Sequence, residues 1–165
     1  MIKYPNAYME YLTYYHKQRD YFECHEVLEE YWKENPESPL SVTWVTLIQL
    51  AVAMYHERRG NLKGAVKMLT SAVKLLNIDD LERLGIQASQ LKILMKERLI
   101  KLGENTQMAF EDINIPFRDQ ALEALITAIR IDDVVTDPFI INKHTLRDRS
   151  DVIRTRQDEL TKRNA

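Results

Sequence analysis

Between Trp44 and Tyr55 the chain runs twelve residues with only Thr46 and Gln49 as polar interruptions. A helix that is apolar nearly all round is stable in water only when other elements wrap it. The run is too short to span a bilayer, which takes roughly 20 residues. Its boundaries are marked. Ser38-Pro39 precedes it, and proline at a first helical position loses no hydrogen bond. Gly60 follows, suited to the left-handed position that ends a helix. A central helix from about Pro39 to Arg59 is therefore predicted, and the remaining chain has to cover it.

The remainder is patterned for that task. Tyr8, Tyr11, Leu12 and Tyr15 recur at spacings of three and four, which predicts an amphipathic helix over about 4–17. Asp20 with Glu23 forms a capping-box signature for a helix from Tyr21 to about Asn35, stopped by Pro36. Asn61 caps a helix to about Leu76. Asp79 with Glu82 repeats the box for a short turn ending near Gly85. Leu91, Leu94, Met95, Leu99 and Leu102 stripe a helix over about 88–102, closed by Gly103. A loop follows to Phe117, with an extended piece around Ile113 and Ile115, and Asp119 caps a sixth helix to about Arg130. Thr136-Asp137-Pro138 breaks the chain. Phe139 to Asn142 reads as an anchor, and Thr145 to Arg163 as a charged helical tail. The expectation is an all-α, single-domain antiparallel helical bundle of four to five core helices over 1–135, with a charged C-terminal extension over 136–165.

Composition narrows the class. Four glycines and five prolines in 165 residues are few for the many turns of a β-sandwich or barrel. Cys24 is the single cysteine, which excludes an internal disulfide and a cysteine-only zinc site. A net charge of -2 argues against a nucleic-acid partner overall. The opening residues lack the apolar core of a signal peptide, so the expectation is a cytoplasmic protein without a membrane partner. A protein partner or a second copy is the kind of partner left open. Charge is also segregated. Residues 20–37 carry seven acids against Lys33, and residues 57–74 five bases against Glu57. The simplest expectation is two faces that attract each other within one bundle.

On a helical wheel, Tyr21, Leu28 and Trp32 fall within about 60° of His25, which places His25 at the centre of the apolar face, and Glu29 lies about 40° away. Glu26 lies at the rim. In the central helix, Gln49 and His56 point the same way, two turns apart. His25, Glu26, Glu29, Gln49 and His56 are therefore the candidate functional cluster. Three readings fit it. One is a buried hydrogen-bonded network that fixes helix register. A second is a divalent transition-metal site on His25, Glu29 and His56, because His and Glu at i, i+4 share a helix face. A third is acid–base chemistry, with Glu29 orienting His25. The string HEVLE is not the zinc-protease motif H-E-x-x-H, since Glu29 stands where the second histidine belongs. Cys24, Trp32 and Trp44 read as core. Ala53, His56, Gly60, Ala65, Leu69 and Ala72 have the small-residue spacing of a tetratricopeptide hairpin, with no second copy along the chain.

The run DYFECHEVLEEYW (Asp20 to Trp32) and the run LIQLAVAMYHERRGNLKGA (Leu47 to Ala65) together resemble a family of bacterial and plant domains of unknown function, number 309. Its pattern is F-x-x-H-E-x-x-E-x-x-W, then I-Q-x-A-x-x-x-x-H with G-N-x-x-G-A. Phe22, His25, Glu26, Glu29 and Trp32 carry the first block. Ile48, Gln49, Ala51, His56, Gly60, Asn61, Gly64 and Ala65 carry the second. The resemblance covers about 21–76. It implies a small all-helical bundle and supports the choice of polar residues, and it supplies no reaction. The leading expectation is a non-enzymatic interaction or structural module with no cofactor. The alternative is a small hydrolase-like enzyme, metal-dependent or acid–base, using His25, Glu29 and His56.

Overall fold

The apolar run forms α3, Ser41–Arg58, which buries Trp44, Leu47, Leu50, Ala51, Ala53 and Met54. The computed structural model describes residues 4–104 and 109–129. The predicted anchor at Phe139 and the C-terminal extension lie outside these. Along the chain, α1 (Asn6–Thr13) leads through a π-helical turn (Tyr14–Gln18) into α2 (Tyr21–Glu34). After α3 come α4 (Leu62–Leu75), α5 (Ile78–Arg83), α6 (Ala88–Gly103) and α7 (Gln120–Ala128). Helix α3 packs most extensively on α4 and next on α2; α1 covers α2, α6 covers α4, and α7 lies against α1. Among the described residues there is no strand, only an isolated antiparallel bridge of Ile86 with Phe117. The fold is an all-α bundle.

Caps follow the sequence signals in three places. Asp20 accepts from Glu23 N–H, Asn61 from Gly64 N–H, and Asp119 from the N–H groups of Ala121 and Leu122. Gly60 has φ +88°, the left-handed backbone that favours glycine. Two starts differ from expectation. Pro39 is not the first residue of α3: the Ser38 hydroxyl accepts from Leu40 N–H at 3.1 Å and holds a turn that delays the helix to Ser41. The cap of α5 is Asn77, not Asp79. Starting at Ile78 buries Leu81 fully and places Asp79 and Asp80 in the first turn, beside the positive end of the helix.

The first helix holds the rest together through its tyrosines. Tyr8, Tyr11, Tyr15 and Tyr21 are fully buried. A buried phenol needs an acceptor, and each hydroxyl finds one far away in sequence. Tyr8 donates to Leu84 O, Tyr11 to Leu47 O and Tyr15 to Ile113 O, all at 2.6 Å. Tyr21 donates to the Asp112 carboxylate. At the rim, Tyr4 donates to Asp119 Oδ2 at 2.6 Å; desolvation, and then this bond, raise its pKa to about 12. The loop expected around Ile113 and Ile115 is thereby a buried strap, with Ile113 and Ile115 nearly inaccessible.

The predicted single helix over 4–17 widens at Tyr14 into the π-helical turn. Such turns occur mostly as short insertions inside or beside α-helices. Arg19 then takes φ +52°, and Asp20 N–H closes back on Tyr14 O, six residues earlier, at 3.0 Å, so the widened turn ends through one left-handed residue. Left-handed backbone is costly without glycine. Here the guanidinium of Arg19 donates to Asn114 Oδ1 at 2.6 Å, and its carbonyl accepts from Arg58 at 2.6 Å. The same turn carries His16, its ring 5.1 Å from that of Phe117 and 5.2 Å from that of Tyr15. Its Nε2 is buried without a partner. Burial, and then the charge of Arg19, push its pKa down to about 4.

A histidine depressed from 6.5 to about 4 stays neutral in the folded chain while the unfolded chain takes up a proton. Between these two values the unfolded state binds more protons, so stability falls as pH drops from 6.5 to 4. The full shift corresponds to about 3 kcal/mol. Replacing His16 by Phe should flatten this part of the stability profile. Urea unfolding of both proteins at several pH values checks it; parallel profiles would contradict the assignment.

Candidate functional site

Helix α2 lies between α1 and α3, and these two neighbours centre its buried face on Tyr21, Cys24 and Leu28, all fully inaccessible. His25 is about 100° round the helix from Cys24. It therefore lies on the shoulder of that face, its side chain 26% exposed, and not at the centre as the wheel predicted. Phe22 bridges the seam: its ring is 5.8 Å from both the imidazole of His25 and the ring of Tyr55 on α3.

The pairing of His25 with Glu29 is present. His25 Nε2 lies 2.6 Å from Glu29 Oε2, and Glu29 Oε1 is 3.1 Å from Lys33 Nζ. A carboxylate accepts, so Nε2 carries the proton. Glu26 approaches Nδ1 only to 3.7 Å. These contacts run along one helix, at spacings of one and four residues.

His56 belongs to a different arrangement. Asn61 Oδ1 accepts from Gly64 N–H at 3.1 Å, which turns its amide nitrogen to His56 Nδ1 at 3.2 Å. The amide donates, so Nδ1 accepts and the ring proton sits on Nε2. Burial, then Arg59, lower the pKa of His56. A Cβ at Gly64 would stand 2.7 Å from Asn61 Nδ2 and 3.1 Å from His56 Cδ2. The H-x-x-x-G-N-x-x-G spacing is thus one device. Gly60 turns the chain, Asn61 caps α4 and holds His56, and Gly64 leaves room for both.

Among the described residues no hydrogen bond joins the His25–Glu29 pair to Gln49 or His56, and no group of three His, Cys, Asp or Glu side chains is placed to hold a metal ion. Gln49 is half-buried, with its Oε1 enclosed and without a hydrogen-bond partner among the described residues. Cys24 is core, as expected: its thiol donates to Tyr11 O at 3.3 Å, and burial pushes its pKa well up. Trp44 is fully buried and Trp32 half-buried, its indole N–H donating to Ser41 Oγ at 2.9 Å.

The wheel missed the more deeply buried charges. Glu57 and Arg98 form an ion pair in which Arg98 Nη1 donates to both carboxylate oxygens, at 2.8 and 3.0 Å, with side chains only 8% and 10% exposed. Glu57 continues the buried row Leu50, Ala53, Met54 at helical spacing, which is the signal that could have found it. Arg58 lies 4.8 Å over the Tyr21 ring. The expected attraction between the acidic and basic stretches takes another form too. Glu30, Glu34, Lys63, Lys67 and Lys74 enter none of the ion pairs among the described residues.

Partial exposure sets the size of the effects. Exposed helical ion pairs contribute at most about 1 kcal/mol, whereas stranding one partner of a buried pair costs about 3–5 kcal/mol. His25→Ala and Glu29→Ala should each lower unfolding free energy by about 1 kcal/mol, and the double variant by less than their sum. Arg98→Ala should cost about 3 kcal/mol or more. Denaturant unfolding of the four variants checks the ranking; a larger loss at His25 than at Arg98 would contradict it.

A family model described as "Domain of unknown function (DUF309)" matches residues 8–68. That span holds the His25–Glu29 pair, Gln49 and the His56–Asn61–Gly64 device. The uncharacterized protein YpuF of Bacillus subtilis (strain 168) is 40% identical over 173 aligned positions, covering 97% of this chain and 97% of that protein. No solved structure matches the chain significantly. No described helix is long and apolar enough to cross a membrane. With its first block on the α2 shoulder, its second around the α3–α4 turn, and a relative similar along nearly its whole length, the chain belongs to the DUF309 family.

Proposed function

We propose that this chain is a non-catalytic helical module. Its polar cluster organises α2, α3 and α4, and its outer helix faces bind a macromolecular partner. What supports this is that both candidate histidines are engaged locally, His25 with Glu29 on its own helix and His56 with the residue that caps α4. A catalytic or metal-binding histidine needs a nitrogen aimed at substrate or ion, with the other groups of the site within reach. One observation favours a second reading. The 2.6 Å His25–Glu29 contact is partly open to solvent, the arrangement of an oriented general base.

The deciding measurement is elemental analysis of protein purified without a histidine tag or chelator, together with its melting temperature before and after chelation. The module should hold far less than one equivalent of zinc, iron or manganese and melt unchanged. A ligand that binds only the native state raises stability by mass action. One equivalent of metal that is lost in His25→Ala, with a lower melting temperature, would overturn the proposal and favour the enzyme.

A further inference from the structure

Two helix faces remain without an ion-pair counterpart among the described residues, and they have opposite charge. On α2, Glu30 and Glu34 lie about 40° apart on the wheel, one turn from each other. Glu30 and Glu34 are exposed. On α4, Lys63, Lys67 and Lys74 also lie within about 40°, all exposed. Beside these lysines runs an apolar row in which Leu62 is 50% and Val66 36% exposed, one turn apart. The inward side of α4 is taken by Ala65, Leu69 and Ala72 against the core. The lysines and Leu62 and Val66 therefore form one outward, amphipathic strip.

We infer that the lysine-flanked Leu62–Val66 strip of α4 is a docking surface for the acidic outer face of α2 on a second copy of the chain. This rests on the reading of the chain as a binding module and names its partner. The two faces are complementary in charge: the exposed lysines of α4 match the exposed glutamates of α2. They do not pair with each other within one bundle. Helices α2 and α4 each pack on α3, and Glu30, Glu34, Lys63, Lys67 and Lys74 enter no ion pair among the described residues. A two-fold arrangement uses each face once per copy and closes a dimer. Charge rows of this type choose the partner and set its register, while the apolar row supplies the desolvated contact.

The test is sedimentation of the full chain over a range of concentrations, at low and at high salt. Wild type should reach twice the 19.5 kDa protomer mass at low salt and associate about tenfold more weakly in 0.5 M salt, where exposed charges are screened within a few ångströms. K63E/K67E and E30K/E34K change only exposed residues, and circular dichroism establishes that each is folded. Each alone should be monomeric, because both of its docking faces then carry one sign. An equimolar mixture of the two should associate again, since each variant presents the charge that the other has lost. A wild type that stays monomeric throughout overturns the inference, as do variants that associate as well as wild type and a mixture that stays monomeric. A monomer that binds anionic vesicles or an acidic peptide through α4 also overturns it, in favour of a different occupant. Any of these outcomes without bound metal leaves the module reading standing; one equivalent of metal on His25 removes that reading instead.

Discussion

The bundle depends on a short series of phenol hydroxyls. Four fully buried tyrosines on α1, its π-helical extension and α2 reach the carbonyls of Leu84, Leu47 and Ile113 and the carboxylate of Asp112. An aromatic ring alone would be satisfied by any apolar surface of the right shape. A buried hydroxyl is not, because leaving it unpaired costs about 1–3 kcal/mol. Each tyrosine therefore accepts one position of a distant segment and rejects others. The strap over 112–115, which has almost no regular structure, is located by two such bonds and by the burial of Ile113 and Ile115.

Helix identities were legible because periodicity and capping are local. Asp20, Asn61 and Asp119 cap where the sequence places them, and α3 is the covered helix that its apolar run demands. The π-helical turn was not legible. The widening at Tyr14 depends on Arg19 finding Asn114 and Arg58, residues far away in sequence. The start of α5 at Ile78 similarly follows from where Leu81 must be buried.

For the candidate site, the wheel gave one correct pair, His25 with Glu29, and an incorrect centre for it. His25 with Glu29 is an intrahelical contact, fixed by helix geometry alone. How deeply it is buried depends on which neighbours flank α2, and no single-helix projection contains that information. The presence of both α1 and α3 moves the buried centre to the face of Tyr21, Cys24 and Leu28 and leaves His25 on a shoulder. Glu57 shows the opposite error. Its charge suggested solvent, yet its place on the buried row of α3 and the arrival of Arg98 from α6 bring it inside.

Cys24 gives the bundle an internal reporter. The thiol is sealed between α1 and α2, bonded to the Tyr11 carbonyl, and held in its unreactive protonated form. Thiolate chemistry at this sulfur requires α1 to leave α2. As the chain has one cysteine, the rate of labelling by a thiol reagent counts openings of that one seam. If the seam opens only with the whole bundle, the labelling free energy equals that of global unfolding. If α1 detaches first, the labelling free energy is smaller, and the difference measures how strongly the tyrosine bonds couple α1 to the remaining helices.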